Sequence, residues 1–467
     1  MKMNLHDTIA AIATPIGTGG IAILRLSGAQ AQEIARRIAA PRNGKDLSLQ
    51  ESHKLVLSRI HAADRPDALI DEALVVVMRA PRSYTGEDVV EIHCHGGYFA
   101  ADKILHQLLA AGARMAEGGE FTRRAFLNGK TDLVGAEAAM DIIQTKSGLG
   151  LQNAAESLTG ALSQKVNALR ERVIAITAHI SAAADYPEEV DAPERSKVEE
   201  QLTALQEEIH ALLETFDTGR MLRDGITTVI VGRPNVGKSS LLNALTRSDR
   251  AIVTDIPGTT RDVIEEYVNL GGASLRLLDT AGIRTGADQV EQIGIDRAMA
   301  HLREADLCLF VLDSAEGISP EDLEIAENLR GKNVLLLLNK TDQAVCLTRR
   351  QAAEALDIPP ENIIETATPK DGAPLGIDTL EQAISRMFLK GHLNAGRVCL
   401  SNARQRDALL KARDALNCAL DSNRSQMPYD LLYVDLEDVL SALGEVTGAT
   451  VQEEIIDQVF SRFCVGK

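Results

Sequence analysis

Gly232-Arg233-Pro234-Asn235-Val236-Gly237-Lys238-Ser239 fits the pattern G-x-x-x-x-G-K-[ST] of a phosphate-binding loop. The apolar run Thr228-Val229-Ile230-Val231 before it reads as a buried strand. Ser240-Leu241-Leu242-Asn243-Ala244-Leu245 after it reads as the start of a helix. A chance glycine-rich turn lacks that context, which is what the motif needs to act. The glycines let backbone N–H groups wrap phosphates, and the helix N-terminus adds favourable partial charge. Lys238 is expected to reach the β- and γ-phosphates, and Ser239 to ligate Mg²⁺.

Three further segments follow in the order a GTP-binding domain requires. In Thr254-Asp255-Ile256-Pro257-Gly258-Thr259-Thr260, the last three residues can close over the γ-phosphate, with Thr260 as a second Mg²⁺ ligand. Asp279-Thr280-Ala281-Gly282 ends the strand-like Leu275–Leu278. Asp279 suits a water-mediated metal contact and the Gly282 N–H a γ-phosphate contact. Asn339-Lys340-Thr341-Asp342 ends the strand-like Val334–Leu338. An ionised Asp342 only accepts, so it matches the adjacent N–H and NH₂ donors of guanine, a pair that adenine lacks. Four segments in order select GTP over ATP. A fifth, the Ser-Ala-Lys loop that backs guanine, is degraded to Thr366-Ala367-Thr368.

Small GTPases of the Ras type place a Gln after the Asp-x-x-Gly segment to orient water. Here that position is Ile283, so another group must do it; Asp288, Glu291 and Asp296 follow nearby. The charge developing in phosphoryl transfer also calls for positive charge beyond Mg²⁺ and Lys238. The Asn235 amide oxygen suits a monovalent cation beside the phosphates, with carbonyls of the Thr254–Thr259 segment completing the site; the alternative is that Asn235 is a turn former only.

The 467 residues exceed one ordinary core, so two or three domains are expected. No N-terminal signal and no long apolar run appear, so a soluble, unsecreted protein with no membrane partner is expected. Six cysteines without disulfide or zinc spacing suit a reducing cytoplasm. With 49 basic against 67 acidic residues, net −18, the chain is not a sequence-independent nucleic-acid coat. A local RNA-binding patch stays open. Aromatics at 3% argue against broad base-stacking platforms.

The pattern divides the chain. The first part is mixed α/β, with strand-like Thr8–Thr14, Gly20–Leu26 and Ala73–Met78 and an amphipathic helix over 100–111. Leu158, Leu162, Val166, Leu169, Val173, Ile176 and Ile180 then recur at helical spacing, as do Leu202, Leu205, Ile209 and Leu212. The stripe returns with Leu436, Val439, Leu440 and Leu443. The expected architecture is an α/β plus all-α multidomain chain. It comprises an N-terminal α/β domain (1–125), a discontinuous helical domain (126–217 with 385–467) and an inserted, Ras-like P-loop GTPase domain (218–384).

Two stretches are expected to be decoys. Gly17-Thr18-Gly19-Gly20-Ile21-Ala22 matches a dinucleotide fingerprint, but a strand-like run follows where a helix must open. His93-Cys94-His95 has metal-ligand types, but alternation puts Cys94 on the opposite strand face. The end, Phe463-Cys464-Val465-Gly466-Lys467, imitates a prenylation box with an ill-suited terminal Lys. Cys464 reads as an inert tail thiol unless the tail docks. A docked thiol would be a candidate nucleophile or acid/base.

Pro81-Arg82-Ser83-Tyr84-Thr85-Gly86-Glu87-Asp88-Val89, His95-Gly96-Gly97, the stretch from Gly119 to Lys130, the inserted GTPase and the terminal Cys-x-Gly-Lys together resemble the MnmE/TrmE family of bacterial tRNA-modification GTPases. The resemblance spans the chain. It implies that the N-terminal domain binds folate and dimerises, and that the homodimer assembles with an MnmG-type flavoprotein as a heterotetramer. Together they would install an aminomethyl or carboxymethylaminomethyl group on the wobble uridine of certain tRNAs. A reduced folate (5-formyl- or 5,10-methylene-tetrahydrofolate) would supply the one-carbon unit. Matching motifs carries folate contacts onto Arg25, Glu91, Lys130 and Lys467, and places Cys464 near them. Hydrolysis would be stimulated by K⁺, held at Asn235, Thr254, Ile256 and Thr259, and by dimerisation of the GTPase domains. Glu291 would orient the water. Pro257 and the poor fifth guanine motif depart from the family pattern. The competing readings are a ribosome-assembly GTPase, which predicts a basic RNA module not visible here, and a signalling switch, which leaves Arg25, Lys130 and Cys464 without work.

Overall fold

The computed structural model describes residues 7–247, 266–278, 302–369, 373–388, 398–461, 463, 465 and 466. In chain order, the described elements begin with β1 (Ile9–Ile12), β2 (Ile21–Ser27), α1 (Ala31–Arg36), β3 (Ala39–Pro41), β4 (Val56–His61), β5 (Leu69–Met78), β6 (Val89–His95), α2 (Tyr98–Ala110), β7 (Arg114–Met115), α3 (Glu120–Leu127) and α4 (Leu133–Gln144). Helices follow: α5 (Gly148–Leu158), α6 (Ala161–Asp185), α7 (Arg195–Leu213) and α8 (Phe216–Asp224). The nucleotide-domain elements are β8 (Ile226–Val231), α9 (Lys238–Arg247), β9 (Glu266–Leu270), β10 (Ala273–Leu277), β11 (Leu307–Asp313), α10 (Pro320–Asn328), β12 (Val334–Asn339), α11 (Arg349–Leu356), β13 (Ile363–Glu365) and α12 (Ile377–Phe388). Three helices close the chain: α13 (Ala403–Arg424), α14 (Tyr429–Thr447) and α15 (Glu453–Phe460). Two compact units result, Met1–Met140 with Ser441–Lys467, and Asp141–Leu440.

In the first unit a seven-stranded sheet runs β3-β4-β5-β6-β2-β1-β7. Strand alternation sorts its residues. Ala22, Leu24 and Leu26, Ala73, Val75 and Val77, and Val90, Ile92 and Cys94 all face one side. There they pack with Ile34 of α1 and with Ile104, Leu105 and Leu108 of α2. The opposite face carries Ile21, Ile23 and Arg25 opposite His95, His93 and Glu91, and Leu57 opposite Leu74. Ile21, Leu57 and Leu74 are exposed there. The Gly17–Gly20 stretch is the β1–β2 connection, and strand β2 follows it, so no dinucleotide fold exists at this point. Gly19 N–H donates to the Gly96 carbonyl at 2.8 Å, and a Cβ on Gly96 would sit 2.4 Å from the Gly19 oxygen. Cys94 is buried, whereas His93 meets Glu91 and His95 meets Asp71. Among the described residues no cluster of three or more His, Cys, Asp or Glu is placed to hold a metal.

In the second unit the helical stripes bury as their spacing dictates. Leu162, Val166, Leu169, Val173, Ile176 and Ile180 line α6, and Leu202, Leu205, Ile209 and Leu212 line α7. Leu158 departs from the expected stripe. It ends α5 and stays 47% exposed, because the left-handed Gly160 (φ 88°) breaks the helix before α6. The segments flanking the nucleotide domain pack on each other, α7 against α13, with Arg195 and Asn423 exchanging hydrogen bonds. The nucleotide domain is a six-stranded sheet of order β13-β12-β11-β8-β10-β9, parallel except for β9. Continuous apolar runs such as Leu307–Leu312 and Leu335–Leu338 are buried on both faces, as a parallel sheet requires. Among the described residues no helix is long and apolar enough to cross a membrane.

Candidate functional site

The phosphate loop connects β8 to α9, so strand, loop and helix occur as the sequence requires. Its backbone is forced by three positions. Gly232 (φ 146°) would put a Cβ 2.4 Å from the Val311 carbonyl. Asn235 takes a left-handed conformation at φ 63°, which Asn tolerates better than most residues. Gly237 (φ 103°) would put a Cβ 2.1 Å from Asn339 Nδ2. That amide donates to the Val236 carbonyl at 2.9 Å, binding the phosphate loop to the Asn339–Asp342 segment. Lys238 Nζ donates to the Gly232 carbonyl and, at 2.6 Å, to the Arg233 carbonyl. Burial pushes its ammonium below the ordinary lysine value. Ser239 and Ser240 lie in the exposed first turn of α9.

On the guanine side, Lys340 (φ 63°) pairs through Nζ with Asp313 Oδ2 at 2.6 Å, and Asp342 is exposed. The degraded fifth segment is tied in after all. Thr341 Oγ1 donates to the Thr366 carbonyl at 3.0 Å, and Thr366 Oγ1 donates to Asn339 Oδ1 at 3.3 Å. Sequence reading passed over Arg233, a variable position of the phosphate loop, and Asp313 and Asp322, which belong to no nucleotide motif. The one legible signal was Ser319-Pro320-Glu321-Asp322, a capping-box pattern with Pro at N1. Thr254, Asp255, Ile256, Pro257, Gly258, Thr259, Thr260, Asp279, Thr280, Ala281, Gly282 and Glu291 lie outside the described residues.

A second constellation lies in the first unit. Arg25 Nε donates to Glu91 Oε1 at 2.8 Å across the β2–β6 pair, both side chains about one-sixth exposed (16% and 15%). The guanidinium carbon lies 5.1 Å from the Tyr84 ring centroid and 5.7 Å from that of Phe121, within cation–π range. Arg25 Nη1 also donates to the Gly466 carbonyl at 3.3 Å. The tail is therefore docked on both described sides of position 464. Phe463 is buried against Phe460 at 5.2 Å, and Val465 bridges to Gly118. Glycines make this approach possible: a Cβ on Gly119 would lie 2.4 Å from the Phe460 carbonyl, and one on Gly466 (φ 98°) 2.5 Å from that of Ile12. Lys130 Nζ donates to the Pro81 carbonyl at 3.1 Å, and Asn128 to that of Thr85 at 2.8 Å. The 81–85 segment thus contacts Lys130 at one point and Arg25, through Tyr84, at another. Cys464 and Lys467 lie outside the described residues.

Beneath this surface is an ionic network. Arg124, 1% exposed, donates to Asp7 Oδ1 at 2.6 Å, to Glu87 and to the buried Glu120, which also pairs with Arg114 at 2.6 Å. Burial alone would raise the Asp7 carboxyl, but hydrogen bonds and charges from Arg114 and Arg124 outweigh it and hold Asp7 below its ordinary value. The network fixes α3, and with it the Gly118–Phe121 segment that meets the tail.

Comparison with known proteins bears on the chain as a whole. A family model for the MnmE helical domain matches residues 133–464, and one for the GTP-binding protein TrmE N-terminus matches residues 8–130. The chain is 46% identical over 465 residues to the tRNA modification GTPase MnmE of Bacillus subtilis (strain 168), covering 99% of this chain and 100% of that protein. It is 45% identical to that of Geobacillus kaustophilus (strain HTA426), covering all of both. Among solved structures, the G domain of the T. maritima FeoB iron transporter is 26% identical over 34% of this chain and 97% of its own, with a TM-score of 0.25. Aquifex aeolicus Era Y63A bound to GDP·AlF4⁻ is 29% identical over 40% of this chain and 66% of its own, with a TM-score of 0.26. The full-length relatives and the two family models decide the assignment: this chain belongs to the MnmE/TrmE family of tRNA modification GTPases.

Proposed function

We propose that this tRNA modification GTPase binds a reduced folate at Arg25, Glu91, Lys130 and Lys467. With an MnmG-type flavoprotein, it uses the folate one-carbon unit to install an aminomethyl or carboxymethylaminomethyl group on the wobble uridine of certain tRNAs. The observation that carries the reading is the Arg25–Glu91 pair beneath the docked tail. A pterin edge offers N–H donors to a carboxylate and a carbonyl to a guanidinium. Because Arg25 and Glu91 touch, they serve the same end of the ligand, which leaves Lys130 and Lys467 for the glutamate carboxylates. The folate would supply the one-carbon unit, while the protein positions it. Cys464 belongs to the tail that reaches this site, and a role for it in the modification is part of the proposal.

In the GTPase domain, Lys238 stabilises charge on the phosphates and Glu291 orients the water, replacing the glutamine absent at Ile283. Ser239 and Thr260 would hold Mg²⁺, which supplies electrostatic stabilisation of the phosphates when bound. K⁺ would be held by Asn235, Thr254, Ile256 and Thr259; the left-handed backbone at Asn235 supports a specialised turn there. Homodimerisation is supported by the exposed Ile21, Leu57 and Leu74 on the sheet face that also carries Arg25 and Glu91.

The decisive experiment is nucleoside mass spectrometry of total tRNA from a deletion strain, rescued with wild type or with Cys464→Ser. Loss of aminomethyl-type uridines restored only by wild type is expected. Unchanged uridine modification in the deletion strain would overturn the reading. Glu291→Ala should bind GTP but turn it over poorly, and Asn235→Ala should lose preference for K⁺ over Na⁺. Near-wild-type turnover in K⁺, or unchanged cation selectivity, would remove the corresponding assignment.

A further inference from the structure

We propose that the segment Asp313–Asp322, which contains none of the nucleotide motifs, is a brace that locks the phosphate loop to the guanine loop. Arg233, Asp313 and Asp322 act in it as positioning residues for GTP binding and hydrolysis.

At the phosphate end, Arg233 is the second residue of the loop, and its carbonyl receives Lys238 Nζ at 2.6 Å. Through its side chain, Nε meets the Asp322 carboxylate at 2.9 and 3.0 Å; Nη1 lies 3.5 Å from Glu316. Asp322 is 0% exposed and Arg233 17%. The carboxylate is well satisfied by donors. Besides Arg233, it accepts from the Ser319 N–H and hydroxyl, each at 2.9 Å, in the capping box that starts α10. The main chain that carries the lysine contact is therefore pinned, through one side chain, to a capped helix end.

At the guanine end of the same segment, Asp313 Oδ2 holds Lys340 Nζ at 2.6 Å while Asp313 Oδ1 accepts from the Ala315 N–H at 2.9 Å. Ser314 N–H donates to the Asn339 carbonyl at 2.9 Å. The Ser314 carbonyl accepts from the Cys346 and Leu347 N–H groups at 2.8 and 3.0 Å, which closes the loop after Asp342. Phosphate and base are thus gripped by loops that share one brace. Releasing either anchor lets one loop move relative to the other. The buried Asp322 carboxylate is the device that resists this, because removing Arg233 leaves that charge buried without its partner.

The test uses the full chain with mant-GDP and GTP. Arg233→Met and Asp322→Asn should each speed GDP dissociation and raise the KM for GTP by roughly tenfold, the order of one charge-assisted contact, with a smaller change in kcat. Arg233→Lys should recover part of the loss, since it restores the charge but not the Nε geometry. The double variant Arg233→Met/Asp322→Asn should be no worse than either single variant, the signature of a shared contact. Asp313→Asn should produce the same kinetic change from the other anchor. A merely structural role predicts lowered melting temperature with GDP dissociation unchanged, and that result would overturn the proposal. Additive single effects would overturn the Arg233–Asp322 coupling. Should Asp322→Asn fail to fold, Arg233→Met, Arg233→Lys and Asp313→Asn still decide it.

Discussion

Gly237→Ala isolates what the phosphate loop geometry is worth. Two independent costs meet at this position. The backbone sits at φ 103°, which an L side chain rarely adopts, and holding such a conformation costs about 1–3 kcal/mol. The added methyl would also lie 2.1 Å from Asn339 Nδ2, far inside van der Waals contact. Asn339 is buried, so its amide must give up the 2.9 Å bond to the Val236 carbonyl with little chance of replacement. An orphaned buried donor costs about 1–3 kcal/mol. The sum is at least about 2 kcal/mol against the binding-competent loop, or roughly thirtyfold in nucleotide affinity. If the loop relaxes to relieve the clash, the same cost returns on binding. The assay is titration of fluorescent GDP against wild type and variant, with dissociation followed by stopped flow. Thermal melting checks that the first unit is untouched. A Kd within about threefold of wild type, a difference under 1 kcal/mol, would refute the reasoning.

Other consequences are as open to measurement. Burial pushes the Cys94 and Cys308 thiols up to about 11, Cys94 with a contribution from Asp71. Alkylation at mildly alkaline pH should therefore label the exposed Cys346 and Cys418 first; peptide mapping that finds early label on Cys94 or Cys308 would contradict the core. Asp7 is held below the ordinary carboxylate value, so its contribution is fully present above about pH 4 and is lost as pH falls through its folded value. Asp7→Asn should lower stability at neutral pH and flatten the acid limb of the unfolding curve, whereas an acid limb parallel to wild type would show that the network does not titrate through Asp7. Gly466→Ala should push the tail off the Ile12 carbonyl and break the Arg25 contact. Folate affinity should then fall by about fivefold or more, given a cost of at least about 1 kcal/mol at a left-handed position, with little change in GDP affinity. Unaltered folate titration would separate the tail from the site.

The nucleotide chemistry was legible in the sequence because a phosphate loop is local. Eight consecutive residues, a strand before and a helix after, specify a backbone shape whatever surrounds it. Alternation likewise placed Cys94 on the strand face opposite His93 and His95, since strand periodicity is a property of the chain alone; which face is buried came from the packing of the sheet. The stripe that began at Leu158 misplaced that residue, because apolar spacing does not register the break that Gly160 imposes. Resemblance picked out Arg25 and Glu91, 66 residues apart. Only strand pairing put them 2.8 Å apart, and only the return of the chain from far beyond the nucleotide domain laid the Gly466 carbonyl on Arg25. The degraded Thr366-Ala367-Thr368 loop read as a weakness, yet the parallel β12–β13 pairing brings Thr366 to Asn339 and Thr341, where its hydroxyl donates and its carbonyl accepts. Arg233 pairs with Asp322 in the folded chain. Their pairing across 89 residues is invisible in sequence, because long-range ionic contacts have no period and no fixed spacing. Local conformation was written in neighbouring residues; which distant charges meet was settled only when the sheets brought their strand ends together.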